Sequence, residues 1–200
     1  MPQITQIIQH RIAASIAVKQ QLLEDEKINA TLEACINVIV NAFATGNKVL
    51  FCGNGGSAAD AQHLAAEFSG RFYIDRDPLP AEALHCNSSY LTAVANDYSY
   101  DVIYSRLIKG IGKKGDVLIG LSTSGNSTNI VNAFKVAREK EMITIGFTGF
   151  TGGLMKELSD HLLNVPSTDT PRIQESHILL GHIICELVEE KLFGKSSTSI

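Results

Sequence analysis

Long apolar runs are missing from this 200-residue sequence. The longest, Val49 to Cys52 and Ile183 to Cys185, fall far short of the roughly 18 residues that cross a bilayer. A basic N-terminal block followed by an apolar one is missing too, so no signal peptide is expected. Basic charge is not in excess. Lys and Arg number 17 against 21 Asp and Glu, for a net charge of −4. Without a basic stripe, duplex nucleic acid and anionic membrane are poor candidate partners. Cysteine is sparse: Cys35, Cys52, Cys86 and Cys185 lie scattered among apolar neighbours with no C-x-x-C spacing. That pattern excludes a zinc ribbon or a disulfide framework and points to a reduced, cytoplasmic setting. The sequons at Asn29, Asn87 and Asn126 are then coincidental.

Residues of the hydrophobic set make up 44% and charged residues 19%, the balance of a globular chain rather than a disordered one. The length suits one domain with a helical extension. Apolar positions Ile4, Ile7, Ile8, Ile12 and Ile16, then Leu22 and Leu23, step by three and four and predict an amphipathic helix over 3–25. A second helix is expected from Ile28 to Ala44, with Gly46 at the C′ position. These helices either pack on another subunit or cover the chain's own sheet. After Gly46 the pattern changes to short apolar runs alternating with helical stretches. Strands are expected near 48–52, 81–86, 116–121, 143–148 and 161–165. Helices are expected at 57–69, 89–111 (broken near Asn96-Asp97), 127–140, 152–159 and 172–193. Such alternation implies βαβ units, a parallel sheet and right-handed crossovers. The division is therefore an extension over 1–46 for oligomer packing, a sheet domain over 47–194, and a flexible Ser-rich tail over 195–200.

Two loops carry the first functional signal. The first strand runs through Gly53-Asn54-Gly55-Gly56-Ser57 into a helix, and three glycines allow close backbone approach to an anion at the helix start. Gly53-x-Gly55-x-x-Ala58 fits a loose dinucleotide fingerprint. The acidic residue expected about 20 residues later is absent, because the second strand ends Leu84-His85-Cys86-Asn87. No Gly-Lys-Ser/Thr follows either, which excludes a P-loop. The third strand ends in Ser122-Thr123-Ser124-Gly125-Asn126-Ser127, again opening a helix. One serine would satisfy the N-cap and four hydroxyls exceed it, so phosphate is the favoured reading. In a flavodoxin-like strand order 2-1-3-4-5, the first and third strands are neighbours, and both loops open into one crevice.

The candidate chemistry lies on two helices. His63 and Glu67 are spaced i, i+4 and share a face among Ala59, Ala61, Ala65 and Ala66; a plain surface pair has the same spacing. The last helix carries Gln174, Glu175, His177 and His182 among aliphatic residues. Either histidine could be a core residue or a functional group with a shifted pKa, and spacing alone does not separate them. Asn96 and Asp97 either line a site or cap two helices.

Taken together, Cys-Gly-Asn-Gly-Gly-Ser at 52–57, His63 with Glu67, Ala-Asn-Asp at 95–97, Ser-Thr-Ser-Gly-Asn-Ser at 122–127 and Arg-Ile-Gln-Glu at 172–175 resemble the phosphoheptose isomerases of the sugar-isomerase (SIS) fold. The resemblance runs from the N-terminal helices to about Phe193. It implies a three-layer αβα sandwich around a five-stranded parallel flavodoxin-like sheet, preceded by N-terminal helices. It further implies a cytoplasmic homotetramer with sites at subunit interfaces and an exchangeable zinc ion. The reaction implied interconverts sedoheptulose 7-phosphate and D-glycero-D-manno-heptose 7-phosphate, at the start of the route to ADP-heptose and lipopolysaccharide cores. Carried over, Glu67 resembles the general base and His182 the general acid. The zinc set would be His63, Glu67, Gln174 and His182. Asn54, Gly55, Gly56, Glu67, Asn96, Asp97, Ser122, Thr123, Ser124, Ser127 and Gln174 would hold the sugar phosphate.

Proton transfer between C1 and C2 needs a carboxylate and an acid, each worth about 10²–10⁴ in rate, and a cation near both oxygens would help. Gln174 is the weakest of the four ligands. It stands eight residues from His182, roughly 12 Å along a straight helix, so both reach one ion only by full extension, an irregular helix start, or different chains. Two other readings stand beside the isomerase. One is a non-catalytic SIS-domain protein that associates with the bacterial replication initiator or senses a sugar phosphate. The other is an isomerase for a different sugar phosphate, since a phosphate cradle does not measure chain length.

Overall fold

The computed structural model describes residues 3–194; the tail over 195–200 lies outside the described residues. Two helices, α1 (Ile4–Glu24) and α2 (Glu26–Ala44), precede five parallel strands: β1 (Val49–Gly53), β2 (Ala81–Ala83), β3 (Val117–Leu121), β4 (Ile143–Thr148) and β5 (His161–Asn164). The connecting helices are α3 (Gly56–Ser69), α4 (Ser88–Asp97), α5 (Ile103–Ile111) and α6 (Thr128–Glu139), and α7 (Thr170–Phe193) closes the fold. The strand order is β2-β1-β3-β4-β5, the flavodoxin-like order that the family resemblance implies; the alternating pattern predicts only that the sheet is parallel.

The central strands are buried on both faces and read as continuous apolar runs for that reason. Their side chains alternate between two cores. Val49, Phe51, Val117, Ile119 and Leu121 face α2, α3 and α7. Leu50, Cys52 and Leu118 face the layer of α4, α5 and α6. The three-layer sandwich follows.

Element bounds differ from expectation in three places. β2 stops at Ala83, because Cys86 N–H returns to the Ala83 carbonyl and Asn87 caps α4 through Tyr90 N–H. The stretch expected as a helix over 152–159 is a 3-10 helix, Gly153–Leu158. The break in 89–111 falls after Asn96-Asp97, which form the last turn of α4. Ser99 there caps a 3-10 turn over Tyr100–Val102.

The two N-terminal helices differ in how much they bury. Asp25 caps α2 through Lys27 and Ile28 N–H, and α2 then buries Ile28, Leu32, Cys35, Ile36 and Ile39 in its own chain's core. α1 buries only Val18 and Leu22; its isoleucines 4, 7, 8, 12 and 16 face outward.

Candidate active site

Because Gly53 on β1 pairs with Leu121 on β3, both Ser/Gly turns leave the same edge of the sheet side by side. Gly55 takes a positive φ of 56° as the N-cap of α3, a conformation that L residues resist. Asn54 and Asn129 bond reciprocally through their amides, 2.9 Å each way, and tie the first loop to the first turn of α6. Tyr104 donates to the Gly53 carbonyl at 2.5 Å, and Tyr100 donates to Asn54 Oδ1 at 3.1 Å. In the second loop Ser122 Oγ and Ser127 Oγ stand 2.9 Å apart, and Ser124 Oγ accepts from Asn126 N–H. Thr123 O receives Gly149 N–H from the loop after β4. Asn96 and Asp97 are exposed, and Asn96 donates to Asp97.

Two turns further along α3 stands the second cluster. α3 and α7 pack closely there, since a Cβ on Gly181 would meet Leu64 Cδ1 at 2.5 Å. That approach puts His182 beside His63, with Nε2 to Nε2 at 3.0 Å, and His63 Nε2 lies 3.2 Å from Glu67 Oε1. The Phe72 ring lies 5.8 Å from the His182 ring. Asp60 joins the group electrostatically. Burial pushes its carboxyl above the usual range, and the charges of His63 and His182 oppose that.

His177 is not part of this cluster. It is fully buried, donates from Nε2 to the Thr148 carbonyl at 3.1 Å, and packs edge-on to Phe147. Gln174 lies with the first loop: a Cβ on Gly56 would stand 2.8 Å from its Nε2. His63 lies seven residues beyond Gly56 on α3, about 10 Å of helical rise.

The three ligand atoms of His63, Glu67 and His182 lie within 4.8 Å of one another. Two imidazoles and a carboxylate suit zinc. Ligand atoms at about 2.1 Å in a tetrahedral shell are about 3.4 Å apart, close to the two separations found. Residue reading alone does not find Asn129, Tyr100 or Tyr104. They come from α6 and from the stretch around α5, and no motif marks them.

The strand order, the paired Ser/Gly turns at one sheet edge and the acid–imidazole cluster define an SIS-domain protein of the sugar-phosphate class, and the SIS domain family model matches residues 12–149. A phosphoheptose isomerase 2 of Campylobacter jejuni is 51% identical over 195 residues, covering 98% of this chain and 97% of that protein. A phosphoheptose isomerase of Clostridium acetobutylicum is 52% identical, covering 94% and 96%. The solved phosphoheptose isomerase from Neisseria gonorrhoeae superposes with a TM-score of 0.88 at 40% identity, covering 94% of this chain and 99% of that one. The chain belongs to the phosphoheptose isomerase family of enzymes.

Proposed function

We propose that this enzyme interconverts sedoheptulose 7-phosphate and D-glycero-D-manno-heptose 7-phosphate in the cytoplasm, as the first step toward ADP-heptose for lipopolysaccharide cores. The observation that carries the reading is the gathering of His63, Glu67 and His182 in a chain whose phosphate-type loops also converge. Seven carbons come from the relatives, since neither loop measures the sugar.

The phosphate sits on Asn54, Gly55, Gly56, Ser122, Thr123, Ser124 and Ser127, where hydroxyls and helix-start N–H groups favour an anion. Asn96, Asp97 and Gln174 contact the sugar. From the ketose, Glu67 takes the C1 proton while His182 Nε2 protonates the C2 carbonyl oxygen, giving a cis-enediol. Glu67 then delivers its proton to C2, and His182 recovers one from the C1 hydroxyl, leaving the aldose. Glu67 has an oxygen for each task, because Oε1 faces His63 and Oε2 is left for the substrate. Zinc held by His63, Glu67 and His182, with Gln174 as a fourth donor, supplies Lewis-acid polarisation of the carbonyl when bound. His182 serves one role at a time, since a ligating nitrogen carries no proton. The protein acts as a homotetramer, and the outward isoleucines of α1 support that reading.

The test is conversion of sedoheptulose 7-phosphate by the purified protein. Glu67→Gln and His182→Ala should each lower kcat at least a hundredfold with the fold intact by circular dichroism. Wild-type turnover in Glu67→Gln would refute its role as base. A chain that binds the sugar phosphate but never turns it over would favour a sensing protein.

A further inference from the structure

We propose that the buried Arg76–Glu189 pair is a positioning device for the reaction, fastening the end of α3 that carries Glu67 to the helix that carries His182. The inference rests on the catalytic reading of Glu67 and His182 given above.

Arg76 Nε meets Glu189 Oε1 at 2.9 Å, with side chains 2% and 1% exposed. Neither side chain meets a ligand atom of the cluster, yet both hold the backbone that carries it. The Arg76 guanidinium donates to the Glu67 carbonyl at 3.0 Å and to those of Phe68, Gly70 and Asp77 at 2.8, 3.2 and 3.0 Å. The last carbonyls of a helix lack partners within it, and here a side chain from beyond the helix supplies them beside Glu67. The Glu189 carboxylate accepts three successive backbone N–H groups, from Phe72, Tyr73 and Ile74, at 3.0, 2.6 and 2.7 Å. That cradle sets the Phe72 ring against His182. Glu189 itself is seven residues beyond His182 on α7, two turns along the same helix.

A chain of fixed contacts thus runs from Glu67 through Arg76, Glu189 and Phe72 to His182. A buried ion pair is weak evidence for stability, since apolar residues of similar volume often replace one at no loss. What apolar residues cannot reproduce is direction. Four carbonyls and three N–H groups are aimed here by one planar cation and one carboxylate, and a 1 Å misplacement of a reacting group costs about a hundredfold in rate.

Two variants of the full chain test this: Arg76→Lys, which keeps the charge but not the fork, and the double variant Arg76→Met with Glu189→Leu, which fills the volume without direction. Each is compared with wild type and Glu67→Gln for kcat and KM on sedoheptulose 7-phosphate, with folding followed by circular dichroism and Tm. Positioning predicts a tenfold or greater fall in kcat with KM within twofold, because Glu67 lies about 16 Å along α3 from the loop that holds the phosphate. In the double variant that fall should persist even where Tm equals the wild-type value. A purely structural staple would move Tm and leave kcat within twofold in every folded variant, and that result overturns the inference. If the double variant does not fold, Arg76→Lys decides alone. An inactive Glu67→Gln beside a fully active Arg76→Lys overturns this inference only; a fully active Glu67→Gln overturns the catalytic reading and this inference with it.

Discussion

Five residues separate His177 from His182 on α7, which turns the two rings about 140° apart around the helix. One faces the sheet and the other faces α3. His177 has one partner, the Thr148 carbonyl, and its Nδ1 is buried with none. A proton on Nδ1 would have no acceptor, and burial pushes the imidazole down to about 4, outweighing the bond to Thr148 that raises it. The consequence for stability follows from linkage. The unfolded chain takes up this proton near pH 6.5 and the native chain only near 4. Stability from this residue is full above pH 6.5 and lost as pH falls toward 4, by about 3 kcal/mol in all. His177→Gln keeps a donor for Thr148 and does not titrate. Its urea midpoint should therefore fall less than wild type's between pH 7 and pH 4, and parallel curves would show that His177 carries no such term.

At the level of elements, the two loops are held together because β1 and β3 are adjacent and Asn129 spans them. Its buried amide holds Asn54 in both directions, and its Oδ1 also accepts from Ile130 N–H. Asn129→Ala removes both bonds and frees Asn54 from α6. The expected result is a KM for the sugar phosphate about tenfold higher, one broken polar linkage being worth about 1–2 kcal/mol, with kcat within about threefold; steady-state kinetics and inorganic phosphate inhibition read it. The sequence announces the loops themselves, because clustered Gly and Ser after an apolar run mark a turn that opens a helix. It announces His63 and Glu67 as a pair, because helical spacing places them on one face. It does not announce Asn129 or Tyr104, whose partners lie 75 and 51 residues away, nor Arg76, bonded across 113 residues to Glu189. Those roles arise only when helices close on the sheet. The choice between His177 and His182 is illegible for the same reason: both sit in an apolar helix, and only the sheet on one side and α3 on the other separate them.

Across the whole molecule, two features bear on the proposed homotetramer. Ile4, Ile8, Ile12 and Ile16 form an outward stripe with i, i+4 spacing on α1, an apolar face that a soluble monomer rarely leaves open. Gln174 lies beside the Gly56 turn, whereas the ligands it would join on zinc sit about two helical turns away in the same chain. Both are satisfied if copies pack through α1 and a site draws its phosphate loops and Gln174 from one chain and its His63–Glu67–His182 cluster from another. The cluster is open enough to receive a neighbour, with the His63 side chain 51% exposed. Ile8→Lys with Ile12→Lys alters neither cluster and puts two charges on the stripe. Sedimentation should show a folded chain of lower mass, and turnover should fall at least tenfold together with the assembly. If the dissociated chain kept full turnover, each chain would hold a complete site, and Gln174 would have to be struck from the zinc ligands.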